Sequence, residues 1–363
     1  MKRALIITAG LQFGGVERFA ANTIKFAPAD EFQFDYLIFE GFGDSLAPEI
    51  IERGGRVITI PSPQKGYRSY IKKLGELIDE NHYDVVHSHT QFNSGINLWV
   101  AKKHSVPVRI AHSHTTAHEN AVSAKQRVYE NAMRRMIRKN ATHFCSCGIE
   151  AGKWMYGDHP FVVIPNGIDT DLFAYNEKAR EDIRLQYRIA EDAFVIGHSG
   201  TIYPLKNQEF LIRLLPNIRK TQKDAELMLI GTGSDEEVER LKLIAAECQM
   251  TDYVHFTGAV MNIYEHLSAF DVFAFPSLRE GTPLALLEAQ ANGLPCVISD
   301  TIPLDAIVTD LVTQLSLDDK DAWISHVCSA LRKEPRKYRE LVSESGFDAR
   351  KAYQMLFEIY NSQ

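Results

Sequence analysis

The sequence predicts an α/β protein made of two doubly wound, parallel-sheet, Rossmann-like domains, and three observations carry that expectation. A chain of 363 residues is longer than one ordinary hydrophobic core and is sensibly divided in two. Short apolar runs alternate with helical patterns through the first half, as βαβ units do when parallel strands carry helices on both faces. The alternation restarts near residue 194, after a more polar stretch at 170–190 that reads as the hinge.

Taken in order, the runs Arg3–Thr8, Gln33–Phe39, Val57–Ile60, Asp84–His87, Val108–Ala111, His143–Cys147 and Phe161–Ile164 are expected strands. Helices are expected between them at Gly15–Phe26, Ser69–Asn81 and Ala124–Arg138. The second half offers strands at Phe194–Ser199, Glu226–Ile230, Val254–Thr257, Val272–Pro276 and Pro295–Ile298. The expected division is residues 1–172, 173–345 and a final helical segment, 346–363. Ligands of doubly wound sheets bind at the carboxyl ends of the strands, so two such domains facing each other imply one interdomain cleft.

Composition narrows the class. Apolar residues at 45% and charged residues at 24% are ordinary for a globular protein. Met1-Lys2-Arg3 and the short apolar run after it imitate a signal peptide, but the run leads into Gly14-Gly15 rather than a cleavage site, so a buried first strand is expected. No run approaches the ~20 apolar residues of a membrane span, and five cysteines, an odd number, fit a reducing compartment. The expected location is therefore cytoplasmic. Residues 1–170 carry a net charge of +3 and the remainder −10; an overall −7 suggests no nucleic-acid partner. Within the first half, Arg127, Arg134, Arg135, Arg138 and Lys139 share one expected helix, Arg127–Lys139, with Met133 and Met136. Such a helix can dock on anionic lipid at the inner face of the plasma membrane or simply face solvent.

The most informative stretch is Arg279-Glu280-Gly281-Thr282-Pro283-Leu284-Ala285-Leu286-Leu287-Glu288. Proline suits the first turn of a helix, so Glu280 is expected in the loop before the helix and Glu288 about 1.5 turns inside it. The amides of a helix N-terminus attract phosphate, and two flanking carboxylates can hold sugar hydroxyls. Together with Asp271-Val272-Phe273-Ala274-Phe275-Pro276-Ser277 before it and Asn292-Gly293-Leu294-Pro295 after it, this segment resembles the retaining glycosyltransferases of the GT-B fold, specifically glycosyltransferase family 4. The resemblance implies that Glu288 takes the ribose hydroxyls of a nucleotide-sugar donor and Glu280 the donor sugar. It also implies that the last helix, here Tyr353–Tyr360, returns to the first domain.

Other motifs extend the resemblance. Gly10-Leu-Gln-Phe-Gly14-Gly15-Val-Glu17-Arg18 follows the first strand and opens a helix, where paired glycines allow close approach of a ligand. It lacks the dinucleotide G-x-G-x-x-G spacing and is similar to the family's Gly-Gly loop beside diphosphate and acceptor, with Arg18 and His89 as acceptor contacts. Asp84-Val-Val-His87-Ser-His89 and Arg109-Ile-Ala-His112-Ser-His114 each place two histidines on one face of a strand end. Four histidines invite a metal hypothesis, but no Cys or carboxylate completes a ligand set. The resemblance instead implies that His112 or His114 contacts the transferred sugar, and it does not separate the two.

Pro165-Asn166-Gly167-Ile168-Asp169-Thr170-Asp171 is similar to the family's interdomain loop. Its Asp-x-Asp reads as structural, so no metal and no cofactor are expected. In Gly197-His198-Ser199-Gly200-Thr201-Ile202-Tyr203-Pro204-Leu205-Lys206, the family has Arg where Thr201 stands; Lys206 matches the second cation that neutralises the diphosphate. Loss of one charge-assisted hydrogen bond, about 1.5–3 kcal/mol, would weaken donor use unless Arg279 or Arg18 substitutes. Glycine turns at Gly231 and at Gly258, with Val260, are expected to meet the nucleotide base through backbone.

The resemblance thus implies a metal-independent transferase that moves a hexose or N-acetylhexosamine from a UDP-sugar to a lipid-linked saccharide. Its catalytic groups would be His112, His114, Lys206 and Glu280, with the leaving phosphate accepting the acceptor's proton. Arg109-Ile-Ala-His-Ser-His, Lys206-Asn207 and Ser345-Gly346-Phe347-Asp348 place the resemblance nearest to exopolysaccharide and capsule enzymes. Two alternatives follow from Thr201 and the fold: a catalytically silent sugar-nucleotide-binding subunit, and a sugar-nucleotide epimerase.

Overall fold

The computed structural model describes residues 1–12, 14–115, 123–281, 283–332 and 335–362. The chain forms two compact units, Met1–Asn166 with Ala349–Gln363, and Gly167–Asp348. The divisions at 166/167 and 348/349 differ from the expected 172/173 and 345/346 because Ile168 already pairs with Asp348 inside the second unit.

Among its described residues the first unit holds seven strands: β1 (Lys2–Ile7), β2 (Phe32–Phe39), β3 (Arg56–Ile60), β4 (Val85–Ser88), β5 (Val108–Ser113), β6 (His143–Ser146) and β7 (Val162–Val163). All pairings are parallel and the order is β3-β2-β1-β4-β5-β6-β7. Ala4–Ile7 are wholly buried on both faces of β1, as a parallel strand covered on both sides requires. Ala4, Ile6, Phe34 and Tyr36 pack with Phe19 and Ala20 of the helix Gly15–Lys25 and with the helix Ala349–Asn361. Leu5, Ile7, Leu37 and Phe39 pack on the other face with Tyr70, Leu74, Leu98 and Ile137. The last helix belongs here because its stripe Ala352, Tyr353, Leu356, Phe357 and Tyr360 recurs at helical spacing and is buried. The Tyr353 hydroxyl donates to Phe19 O at 2.6 Å.

The second unit holds β8 (Val195–Ser199), β9 (Glu226–Ile230), β10 (Val254–Gly258), β11 (Val272–Phe275), β12 (Cys296–Ser299) and β13 (Val312–Leu315), all parallel, in the order β10-β9-β8-β11-β12-β13. The sequence reading omits β13. Its residues are only half-buried, and Val-Thr-Gln-Leu at a sheet edge lacks the continuous apolar run that marks its neighbours.

Both sheets reverse direction of strand order at one point, between β1 and β4 and between β8 and β11. Loops leaving those strands diverge and open a crevice for ligand. The glycine loops and histidines of the first unit, and the Lys206 and Glu280 loops of the second, follow these strands. Among the described residues, no helix is long and apolar enough to cross a membrane.

Candidate functional site

In the second unit, the residues after β8, β9 and β10 form a backbone ledge. Gly200 N–H donates to Ile230 O at 2.9 Å, Ile202 N–H to Thr232 O at 2.8 Å, and Gly231 N–H to Gly258 O at 3.0 Å. Gly231 has φ +141°, and a Cβ there would lie 2.0 Å from Gly200 O. Only glycine lets the two loops touch. The predicted Gly200, Gly231 and Gly258 are thus brought together by backbone contacts, with half-buried Val260 packed against the adjoining core. Thr201 is exposed, and its carbonyl accepts from Gln208 Nε2 at 3.0 Å.

Lys206 ends a short turn, Pro204–Lys206, and its Nζ lies 2.6 Å from Glu280 Oε1 and 5.3 Å from the centre of the Phe275 ring. The side chains are 25% and 11% exposed, and a charge this withdrawn from water needs a partner. The sequence reading assigns the two residues separate partners on a donor; here they hold each other. Pro283 is the N-cap of the helix Leu284–Ala291, whose first turn carries half-buried Leu284. Gly281 is exposed just before it, Thr282 lies outside the described residues, and Glu288 is half-buried one turn into the helix. Glu280 therefore precedes the helix and Glu288 stands inside it, the placement their spacing predicts. Arg279 is exposed.

Sequence reasoning missed His198, which lies fully buried behind this loop. Its Nδ1 donates to Ala274 O at 3.0 Å while Nε2 has no partner among the described residues. Burial, and secondarily the Lys206 cation, push its pKa down to about 4. A lone histidine on β8 gives no sequence signal of this.

In the first unit, Gly14 caps the helix Gly15–Lys25 with φ −77°, so neither a left-handed turn nor strain explains the glycine pair. Nothing lies within 4 Å of a Cβ built on Gly15, whereas one on Gly14 would meet the mobile end of Glu17, Oε2, at 2.2 Å, so crowding by fixed atoms does not require the pair either. The Glu17 carboxylate folds back over this helix start, and burial raises its pKa against the opposing pull of its own amide. The Glu17 carboxylate thus lies beside Gly14 at the helix start where the sequence reading expects the diphosphate. Arg18 pairs with Glu49 at 2.7 Å and is not a free cation.

The four histidines meet. His87 Nε2 is 3.1 Å from His112 Nδ1, and His89 Nδ1 is 2.8 Å from His114 Nε2. His87 and His112 are completely buried and His89 is 5% exposed, while His114, just past the end of β5, retains partial exposure. His114 is thus the shallower of the two candidates. Desolvation drives His87, His89 and His112 well below the usual histidine range and His114 to about 3. Ligand nitrogens of His87, His89 and His112 lie within 4.8 Å of one another, but both nitrogens of His87 are already hydrogen-bonded, to Tyr360 and His112. Asp169 and Asp171 of the Asp-x-Asp serve locally: Asp169 accepts from Leu172 N–H at 3.4 Å and Asp171 lies 3.3 Å from Arg339.

Two adjoining cavities of the first unit share Gln64, Thr90, Gln91 and Asn93. One, of 280 Å³, is also lined by Glu17, Phe42 and His89. The other, of 370 Å³, is also lined by Tyr67, Phe92, Gln126 and Tyr129. Among the described residues no Lys or Arg lines either. Amides beside aromatic rings suit the hydroxyls and apolar faces of an uncharged sugar. Sequence reasoning missed these side chains, because scattered amides carry no spacing signal.

Two family descriptions match the chain, "Glycosyltransferase Family 4" over residues 13–172 and "Glycosyl transferases group 1" over residues 179–347. EpsF of Bacillus subtilis (strain 168), which bears the name of a glycosyltransferase, is 34% identical over 378 residues, covering 99% of this chain and 96% of its own. The UDP-Gal:alpha-D-GlcNAc-diphosphoundecaprenol alpha-1,3-galactosyltransferase of Escherichia coli is 24% identical over 325 residues, covering 86% of this chain and 83% of its own. The crystal structure of HepE from Anabaena in complex with UDP-glucose shares the fold, with a TM-score of 0.76, 18% identity and 99% coverage of each chain.

Proposed function

The chain belongs to glycosyltransferase family 4, and from that premise we propose that it transfers a hexose or N-acetylhexosamine from a UDP-sugar to a lipid-linked saccharide in exopolysaccharide or capsule assembly, with retention at the anomeric carbon and without a metal. The observation that carries this reading is the Lys206–Glu280 pair at the mouth of β8 and β11, with Glu288 beyond the helix N-terminus. Arrival of a donor exchanges that pair for better partners: Lys206 and the first amides of the helix Leu284–Ala291 take the diphosphate, and Glu280 takes sugar hydroxyls. Preorganised positive groups at the leaving phosphate are where such catalysis draws most of its rate. Glu288 takes the ribose, the ledge of Gly200, Gly231 and Gly258 meets the base, and the leaving phosphate accepts the acceptor's proton.

In the first unit, His114 is the candidate for contact with the transferred sugar, because it alone of the β5 pair reaches the surface. The amide-and-aromatic cavities suit the sugar of the acceptor, with His89 at their edge. The uridine and lipid-linked assignments draw support from what two similar proteins bind or use by name, UDP-glucose in one and a diphosphoundecaprenol saccharide in the other. Exposed Arg127, Arg135 and Lys139 offer an anionic membrane a partner.

The test is nucleotide release from a panel of UDP- and GDP-sugars, with and without EDTA and a lipid-linked acceptor. Release from one donor that survives EDTA and needs Glu288 and Lys206 is the expected result. Binding without turnover on every donor would overturn it in favour of a catalytically silent subunit, the reading that Thr201 motivates. Conversion of one UDP-sugar into another with no UDP released would mark an epimerase.

A further inference from the structure

His87 and His112 stand on the paired strands β4 and β5, and Tyr360 of the helix Ala349–Asn361 completes a row with them. The Tyr360 hydroxyl lies 2.8 Å from His87 Nδ1, and His87 Nε2 lies 3.1 Å from His112 Nδ1. All three side chains are completely buried. A neutral imidazole carries one N–H, so each ring has one donor and one acceptor nitrogen, and the row can be filled in only two ways.

In the first, Tyr360 donates to His87 Nδ1, His87 Nε2–H donates to His112 Nδ1, and His112 is left with a proton on Nε2. In the second every bond is reversed: the Tyr360 hydroxyl proton has no acceptor among the described residues and His112 Nε2 is a bare acceptor. His112 Nε2 has no partner among the described residues in either case. The first arrangement leaves one buried group unsatisfied and the second leaves two, so the first is favoured.

We propose that Tyr360 is a positioning residue: its hydroxyl fixes His87, and through it His112, as the Nε2–H tautomer. The row's one nitrogen without a partner among the described residues, itself buried, then carries the proton as an N–H donor. The His112 ring also stacks on His114, with centroids 4.2 Å apart and planes 20° from parallel, so its orientation sets the floor on which the sugar-facing histidine rests. The C-terminal helix reaches the same cluster a second time, through Tyr353 stacked 5.1 Å from Phe19, whose ring lies 4.8 Å from His112. The last helix thereby supports the histidines by ring packing as well as by the hydroxyl. This inference rests on the proposed role of the β5 histidines at the sugar.

The experiment is long-range ¹H–¹⁵N NMR of the full chain with labelled histidine, without substrate, comparing wild type and Tyr360→Phe. Signals are assigned by their loss in His87→Gln and His112→Gln. The expected result is pure Nε2–H tautomers for His87 and His112 in wild type, turning mixed or inverted in Tyr360→Phe. The same variant is expected to lower kcat about tenfold, the worth of one hydrogen bond, with the donor KM unchanged. His112 found protonated on Nδ1 in wild type, or tautomers indifferent to Tyr360→Phe, would overturn the inference. Because tautomers are read without turnover, a chain inactive on every donor would sink the proposed function while leaving this result standing.

Discussion

At the scale of single residues, the pairing of Lys206 with Glu280 determines how the second unit waits for a ligand. Each side chain screens the other's charge in a half-dry loop. Lys206→Ala removes the cation and strands the carboxylate, so kcat/KM for the nucleotide sugar is expected to fall about 10–100-fold, the worth of one charge-assisted hydrogen bond. Nucleotide release measures this, and an unchanged rate would remove Lys206 from the donor site. Thr201 invites the opposite change. It is exposed on a loop held by its own carbonyl, so Thr201→Arg can add a second cation without displacing packed atoms. A lower donor KM in the same assay is the expected outcome, and a raised one would show that this chain handles the phosphate differently.

At the scale of elements, close approach of loops and the direction of a helix face carry the predictions. Gly231→Ala places a Cβ against Gly200 O at a φ that side chains rarely adopt. The strain alone costs about 1–3 kcal/mol, and the urea midpoint of the second unit is expected to drop together with nucleotide affinity. Equal stability would mean that the ledge yields. The basic helix Ala124–Asn140 divides its charges by face. Arg134 donates to Trp154 O and Arg138 to Tyr156 O, closing the carboxyl end of the helix Ile149–Tyr156 as cations commonly do. Arg135 and Lys139 face solvent. Reversing both, Arg135→Glu with Lys139→Glu, should weaken sedimentation with phosphatidylglycerol vesicles and leave Tm unchanged, whereas Arg134→Ala should lower Tm. Equal vesicle binding after the reversal would leave the helix as a solvated face.

At the scale of the whole molecule, both units bury neutral histidines, and this sets the response to acid. The folded pKa is about 3 for His114 and about 4 for His198, below the ~6.5 of an unfolded histidine. Above pH ~6.5 both states are neutral and the stability is fully present. As pH falls further, the unfolded chain binds protons that the native chain refuses, and stability is lost toward the folded pKa. At about 1.4 kcal/mol per unit, His198 alone would cost about 3 kcal/mol by pH 4. Calorimetry from pH 7.5 to 4.5 should show unfolding temperatures that hold near neutrality and fall below pH ~6.5, most steeply for the first unit with its four clustered rings. A flat profile would contradict the burial of these groups.

Local order was legible from the chain alone. Apolar runs marked every strand except β13, and Gly-Thr-Pro at residues 281–283 marked the start of the helix between Glu280 and Glu288. Alternation of strands and helices implied parallel sheets, and the motifs at the strand ends named the loops that carry the candidate site. These signals depend on neighbours a few residues apart, which is the range over which backbone geometry and turn chemistry act. Partnership was not legible. Lys206 and Glu280 lie 74 positions apart, and His87 and Tyr360 lie 273. No local preference couples such residues; only the sheet order and the return of the last helix bring them within hydrogen-bond reach. The same holds for Glu17, whose carboxylate lies beside Gly14 at the helix start, and for the relative depth of His112 and His114. Two residues of identical type on one strand face differ only in depth, and depth is a property of the packed unit.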